Sequence, residues 1–195
     1  MIVGDRNIFA IESAITLALP GLGQRALGYF LIHIRGTCYG VREPDATLLA
    51  CSFDEVGNRL TRRGTHQIPY LSCTSASEIV EAFLDACYRE TSRIDYFGMS
   101  QPGFSDLVYA KKIPWAPDGD EAFDDSSYVL QFDVEDKVRL IAFRNMDCPA
   151  DTAGSVQDAW IESDLFYGVL LDWSELFAEE WSNELRKQST GLGIN

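Results

Sequence analysis

The sequence predicts an α+β protein, a mainly antiparallel sheet built from hairpins with helices packed on one face. Three observations carry this. Alternating apolar residues flank tight turns at Arg35-Gly36 and near Glu135-Asp136, the pattern of hairpins rather than of βαβ units. A capping box, Ser75-x-x-Glu78, opens an apolar stripe at helical spacing. The stretch Ser163 to Lys187, SDLFYGVLLDWSELFAEEWSNELRK, is the strongest periodic signal in the chain. With 195 residues, 46% of them hydrophobic, the chain suits one domain over 1–195, and it shows no internal repeat, low-complexity tract or linker.

In chain order, Phe9, Ile11, Ile15 and Leu17 alternate with smaller or polar residues and predict a strand with one buried face, interrupted by Ser13. Pro20 to Gly28, PGLGQRALG, reads as a Gly-rich loop; it lacks the Lys-Ser/Thr of a phosphate-binding loop, and a strand pattern follows it. Tyr29 to Ile34 and Thr37 to Val41 predict a hairpin with Phe30, Ile32 and Ile34 facing the core and His33, Tyr29 and Leu31 on the other face. Asp45 reads as the N-cap of a short helix holding Leu48, Leu49 and Phe53 and closed by Gly57. Asn58 to Thr74 reads as a loop, basic at Arg59, Arg62 and Arg63. The helix after Ser75 carries Ile79, Val80, Phe83, Leu84 and Cys87 on one stripe, with Asp85 and Arg89 paired at i,i+4.

Tyr96 to Lys112 is open, with Leu107, Val108 and Tyr109 as a candidate strand after a turn at Gln101-Pro102-Gly103. Pro114 to Ser127 is turn-rich and acidic and holds exposed-looking Trp115 and Phe123. A second hairpin is expected over Tyr128 to Val134 and Lys137 to Phe143, then a loop over Asn145 to Gly154 and a short strand over Val156 to Ile161. In the last helix Leu165, Phe166, Val169, Leu170, Trp173, Leu176, Phe177, Trp181 and Leu185 form the apolar stripe. Ser163 is placed as its N-cap, Arg186 and Lys187 in its last turn, and Gly191 as its stop. Gly168 weakens the middle, and Asp172 with Glu175 could cap a second helix, but the stripe keeps its phase across Asp172, so one helix is expected.

The net charge is −14 and lopsided: residues 1–112 hold 12 Asp and Glu against 11 Lys and Arg, whereas residues 113–195 hold 18 against 5. Such a field serves solubility, steering of a cationic partner, or imitation of a phosphate backbone. Direct nucleic-acid binding is disfavoured, because phosphates are repelled and few cations are available for counterion release. No apolar run reaches the roughly 18 residues of a membrane span, and MIVGDRNIFA puts acid and base before any apolar run, so a cytoplasmic protein is expected. Five scattered cysteines, Cys38, Cys51, Cys73, Cys87 and Cys148, without a C-x-x-C, argue against a disulfide framework and a zinc site.

Chemistry is thinly signposted. His33 and His66 lack metal-helix spacing; His33 across a hairpin from Cys38 could form a thiol–imidazole pair, though ordinary sheet residues are the better reading. Asp133, Glu135 and Asp136 sit too densely at a turn for an acid/base pair. Asp118-Gly119-Asp120-Glu121 and Asp124-Asp125 do not follow a calcium-loop pattern. No catalytic residue, metal or cofactor is expected. Aromatics interleave the acidic half: Trp173 and Trp181 read as core, Trp115, Phe123 and Tyr167 as less committed, and an aromatic anchor ringed by carboxylates suits a tight protein interface.

GDRNIFAIE (Gly4 to Glu12), GYFLIHIRGTCYG (Gly28 to Gly40), the acidic-turn hairpin and the C-terminal helix together resemble the immunity protein 42 family, encoded beside bacterial polymorphic toxins. The resemblance covers most of the chain, and it implies a non-enzymatic inhibitor that protects the producing bacterium from its own or its siblings' toxin. Many such toxins are nucleases with cationic clefts, which an acidic partner would be steered to and block. The expected toxin contacts are Asp172, Glu175 and Glu179, and in second place Asp124, Asp125, Glu135 and Asp136. A small cytoplasmic enzyme with an acidic site and an acidic DNA mimic or adaptor are the alternatives.

Overall fold

Two antiparallel sheets share one long helix. The computed structural model describes residues 1–115 and 121–191. The first sheet runs β1 (Ile2–Asp5), β2 (Phe9–Ala18), β3 (Ala26–Ile34) and β4 (Thr37–Tyr39) side by side, with the short β5 (Thr47–Leu48) also paired to β3. Then come α1 (Leu49–Thr61), a 3₁₀ turn at Pro69–Leu71, α2 (Ala76–Cys87), α3 (Gln101–Ala110) and a second 3₁₀ turn at Glu121–Phe123. The second sheet is β6 (Ser127–Val134), β7 (Lys137–Arg144) and β8 (Gln157–Glu162), with α4 (Pro149–Gly154) before β8 and α5 (Ser163–Gly191) directly after it. The expected α+β class with antiparallel pairing is what the structure has. The strands divide between two sheets, and helices meet both faces of the second.

Alternation accounts for this. Phe9 and Ile11 of β2 and Phe30, Ile32 and Ile34 of β3 share one face, as the register Phe9↔Ile34, Ile11↔Ile32, Ser13↔Phe30 requires. That face packs against α5, α1 and the inner face of the second sheet, Val138, Leu140 and Ala142 among its residues, in one core. The other face of the second sheet, with Leu130, Phe132, Ile141 and Phe143, is covered by α2 and α3 in a second core. Ser13, the break in the β2 pattern, is fully buried because its Oγ accepts the indole N–H of Trp173 at 3.0 Å. The Arg35-Gly36 turn takes positive φ at both residues, +50° and +81°, as a tight hairpin turn needs.

Several local expectations are corrected. Ala26 to Gly28 is strand rather than loop. A Cβ on Gly28 would lie 2.0 Å from the carbonyl oxygen of Ala14 and 2.9 Å from Leu49, so only glycine lets the strand and α1 come this close. Asp45 does not cap α1. The helix grows straight out of β5, and Gln24 O accepts the Ala50 N–H at 3.3 Å, a tertiary substitute for a side-chain cap. Gly57 lies inside α1, which runs on to bury Arg59, and the supposed Gln101-Pro102-Gly103 turn is the first turn of α3. Ser100 caps it, accepting the Gly103 N–H at 3.4 Å, and Pro is tolerated there because the first helical amides have no intrahelical acceptor. Asn145 to Gly154 contains α4. Ser75 caps α2 through the Glu78 N–H (3.3 Å), as its motif predicts.

α5 is one helix, as expected, but its buried stripe is narrower than the sequence pattern. Phe166, Val169, Leu170, Trp173 and Phe177 are buried, whereas Leu165 and Leu176 are 43% and 48% exposed. Leu165 and Leu176 lie roughly 100° around the helix from the centre of that stripe, and Tyr167 takes a core position instead. Ser163 is the first helical residue, and the helix continues past Arg186 and Lys187 to Gly191.

Candidate functional site

Helical geometry gathers the leading carboxylates. At 100° per residue Asp164, Asp172, Glu175 and Glu179 fall within an arc of about 80°, on the face of α5 turned from the core. Asp172, Glu175 and Glu179 line a groove of about 500 Å³ whose other wall is β1, through Ile2, Val3 and Gly4, with Leu176 at its side. Gly4 lets the helix lie this close: its φ is +96°, and a Cβ would stand 2.4 Å from Phe9 O and 3.1 Å from Val169. Among the described residues none of these three carboxylates has an ion-pair partner. Their field is therefore uncompensated, and it overlies an aliphatic floor.

The β6–β7 turn forms a second acidic concavity. Glu135 and Asp136 line a cleft of about 570 Å³ with Asp133, Glu162, Asp164, Arg63, Gly64 and Ser163. Arg63 pairs with Asp164, and Lys137 with Glu162 at 3.5 Å, so two cations face five carboxylates. Asp164 lies in the first turn of α5 and Asp172 about 12 Å further along its axis, which puts cleft and groove on one continuous flank. Asp124 and Asp125 line neither. Asp125 is committed locally, accepting the Ser127 N–H at 3.1 Å and facing Arg144 at 3.5 Å. The seven expected contacts thus separate into a set of three, a set of two, and a pair elsewhere.

Asp133 is the buried end of the cleft and is held rigidly. It accepts from Tyr167 Oη (2.8 Å), Gln131 Nε2 (3.3 Å) and the His66 backbone N–H (3.1 Å). Gln131 also donates to Tyr167 (2.8 Å) and accepts from Arg59 Nη1 (2.8 Å). Arg59, expected on a basic loop, is fully buried in α1. Its guanidinium meets Glu55 at 2.9 Å, donates to Pro114 O at 2.6 Å, and lies 4.4 Å from the Trp115 ring. Burial lowers its pKa to about 10 and raises that of Tyr167, where Asp133 adds to the effect. His66 is buried with Nδ1 3.0 and 3.1 Å from the Lys111 and Lys112 carbonyls. Burial first, then the charge of Arg59, pushes its pKa down, so the ring is neutral and donates from Nδ1.

Burial settles the uncommitted aromatics. Trp115, Phe123 and Tyr167 are all core residues. Trp173 is core as expected, and Trp181 is half-buried, its indole donating to Leu19 O at 3.0 Å. The exposed tryptophan is Trp160, 45% accessible on β8 between Asp158 and Glu162 on the same face. The alternation in Gln157-Asp-Ala-Trp-Ile-Glu162 carries this signal: Ala159 and Ile161 point to the core, so Trp160 points out.

His33 and Cys38 are direct cross-strand neighbours, yet no thiol–imidazole pair forms. His33 Nε2 instead donates to Glu12 at 2.9 Å. Arg42 binds both oxygens of the same buried carboxylate, and Arg6 adds a contact at 2.7 Å. Arg42 chiefly, helped by Arg6 and His33 against the opposing effect of burial, holds Glu12 down at about 2. Burial pushes the Cys38 thiol up, away from the thiolate a nucleophile needs. Among the described residues no group of His, Cys, Asp or Glu is arranged to hold a metal ion, and no helix is long and apolar enough to cross a membrane. Residues 118–120 of the acidic loop lie outside the described residues.

CdiI from Burkholderia dolosa AUO158, a solved structure, superposes with a TM-score of 0.56 at 13% identity, over 88% of this chain and 97% of that one. At that identity the likeness is one of fold. No curated protein matches the sequence. The sequence profile of the family described as immunity protein 42 matches residues 1–176, from β1 through most of the groove-lining part of α5. With nine-tenths of its length inside that match, the chain belongs to the immunity protein 42 family.

Proposed function

We propose that this immunity protein neutralises its cognate toxin by binding it one to one, protein to protein, inside the producing bacterium and without catalysis. The match to the family over residues 1–176 carries the reading. The toxin surface it meets is basic, as in the cleft of a nuclease. The contacts are Asp172, Glu175 and Glu179 along α5, joined by Glu135 and Asp136 at the cleft, with Asp124 and Asp125 as peripheral charges. Unpaired carboxylates beside Ile2 and Leu176 support this, because a charged rim around an aliphatic floor combines steering with burial of apolar area. The folded interior has no need of those charges.

The test is a triple reversal, Asp172→Lys, Glu175→Lys and Glu179→Lys, assayed against the C-terminal domain of the cognate toxin. Reversal is expected to weaken binding on the order of 100-fold or more and to abolish protection in a rescue assay, with the thermal midpoint little changed. Binding of undiminished strength and salt dependence would remove α5 from the interface. Protection at far below one copy per toxin would instead indicate an enzyme.

A further inference from the structure

β8 is an outer strand. β7 pairs along one side of it, and among the described residues no strand pairs along the other. The Ser163 N–H donates to Asp136 O at 2.8 Å, which sets the phase of the ladder. Residues 157, 159 and 161 turn their N–H and C=O groups toward β7, and Asp158, Trp160 and Glu162 turn theirs outward. Of these outward groups, Asp158 O is occupied, accepting from Arg35 Nη1 at 3.0 Å. The Trp160 amide and carbonyl and the Glu162 amide have no partner among the described residues, whereas the Glu162 carbonyl stands at the start of α5 and accepts its first helical N–H. The side chains of the same three residues share one face. Trp160 stands over Arg139, 5.2 Å from its ring centroid, and Arg139 is itself fixed by Asp158 at 2.8 and 2.9 Å. The strand then runs into the acidic cleft at Glu162.

An open edge is a template for another strand, and the side chains beside it choose which. A second copy of β8 would set Asp158 and Glu162 against each other, like charges across a ladder. A strand with Lys or Arg at the two positions facing Asp158 and Glu162, and an apolar residue between them facing Trp160, meets complementary groups at all three. We propose that the toxin docks an extended basic segment of this kind onto β8 as a fourth strand of the second sheet, anchored on Trp160. The inference rests on the toxin-binding reading given above and adds where and how the toxin is held.

Amide hydrogen exchange on the full chain, free and bound to the C-terminal domain of the cognate toxin, tests it. The Trp160 and Glu162 amides are expected to exchange quickly in the free protein and at least about 100-fold more slowly in the complex, as paired amides do. Trp160→Ala is expected to weaken binding at least 10-fold and Trp160→Phe much less. If the alanine variant fails to fold, the wild-type exchange data alone decide. A complex that forms while both amides stay fast overturns strand docking and leaves the toxin-binding reading standing. No complex with wild-type protein overturns both. Protection of the same amides by a concentration-dependent dimer in the absence of toxin assigns the edge to a second copy and overturns the proposal.

Discussion

Among the described residues, charged side chains are buried only where several partners converge. Glu12 accepts from Arg6, Arg42 and His33, and Arg59 has Glu55, Gln131, the Pro114 carbonyl and the Trp115 face. Glu12 makes a pH prediction. Its folded pKa, about 2, lies below the ordinary 4.5, so its contribution is present in full above pH 4.5 and is lost as pH falls through about 2. The gap corresponds to on the order of 3 kcal/mol. In urea unfolding across pH, Glu12→Gln should be less stable than wild type by about that amount at pH 7. The difference should shrink between pH 4.5 and 2 until the curves meet; parallel curves would show that the charge of Glu12 is not what stabilises it. None of this was legible beforehand. Arg59 stands near Arg62 and Arg63 and reads as part of a basic loop, because a one-dimensional pattern does not show which cation a helix rotates inward.

At the scale of elements, local chemistry was a good guide where it acts alone. The capping box of α2, the two tight hairpins and the unbroken phase of α5 are all present as read. It misled where tertiary contacts replace local signals, as at the start of α1, or where one residue type serves two purposes, as Pro102 does in α3. Glycine shows the same division. Gly28 looks like part of a flexible connection and is a packing position in β3. Gly28→Ala should cost about 3 kcal/mol by chemical denaturation, because the new methyl meets a backbone oxygen that cannot rotate away. An effect below about 0.5 kcal/mol would mean the strands separate easily there.

Over the whole molecule the main feature is the field. Thirteen of the fourteen net negative charges belong to residues 113–195, and the structure lays many of that half's carboxylates along one flank, from the β6–β7 turn down α5. A field of this kind acts mainly on encounter. The association rate constant with the toxin domain, measured by stopped flow, should fall about 10-fold or more between 20 mM and 500 mM salt, while the dissociation rate changes little. A flat association rate would mean that the charge does not steer.

The sequence by itself determined the α+β class, the hairpins, the acidic asymmetry and the family, because each is written in residue order, spacing or composition. Which aromatic is exposed, which arginine is buried, and which carboxylates share a groove were decided by the tertiary structure. Those properties depend on what packs against each element: α5 covers the inner face of β8 and leaves Trp160 outside, while the second sheet closes over Trp115 and Tyr167. Periodicity gives the direction of a side chain relative to its own element, and only the neighbouring elements decide whether that direction leads to core or to solvent.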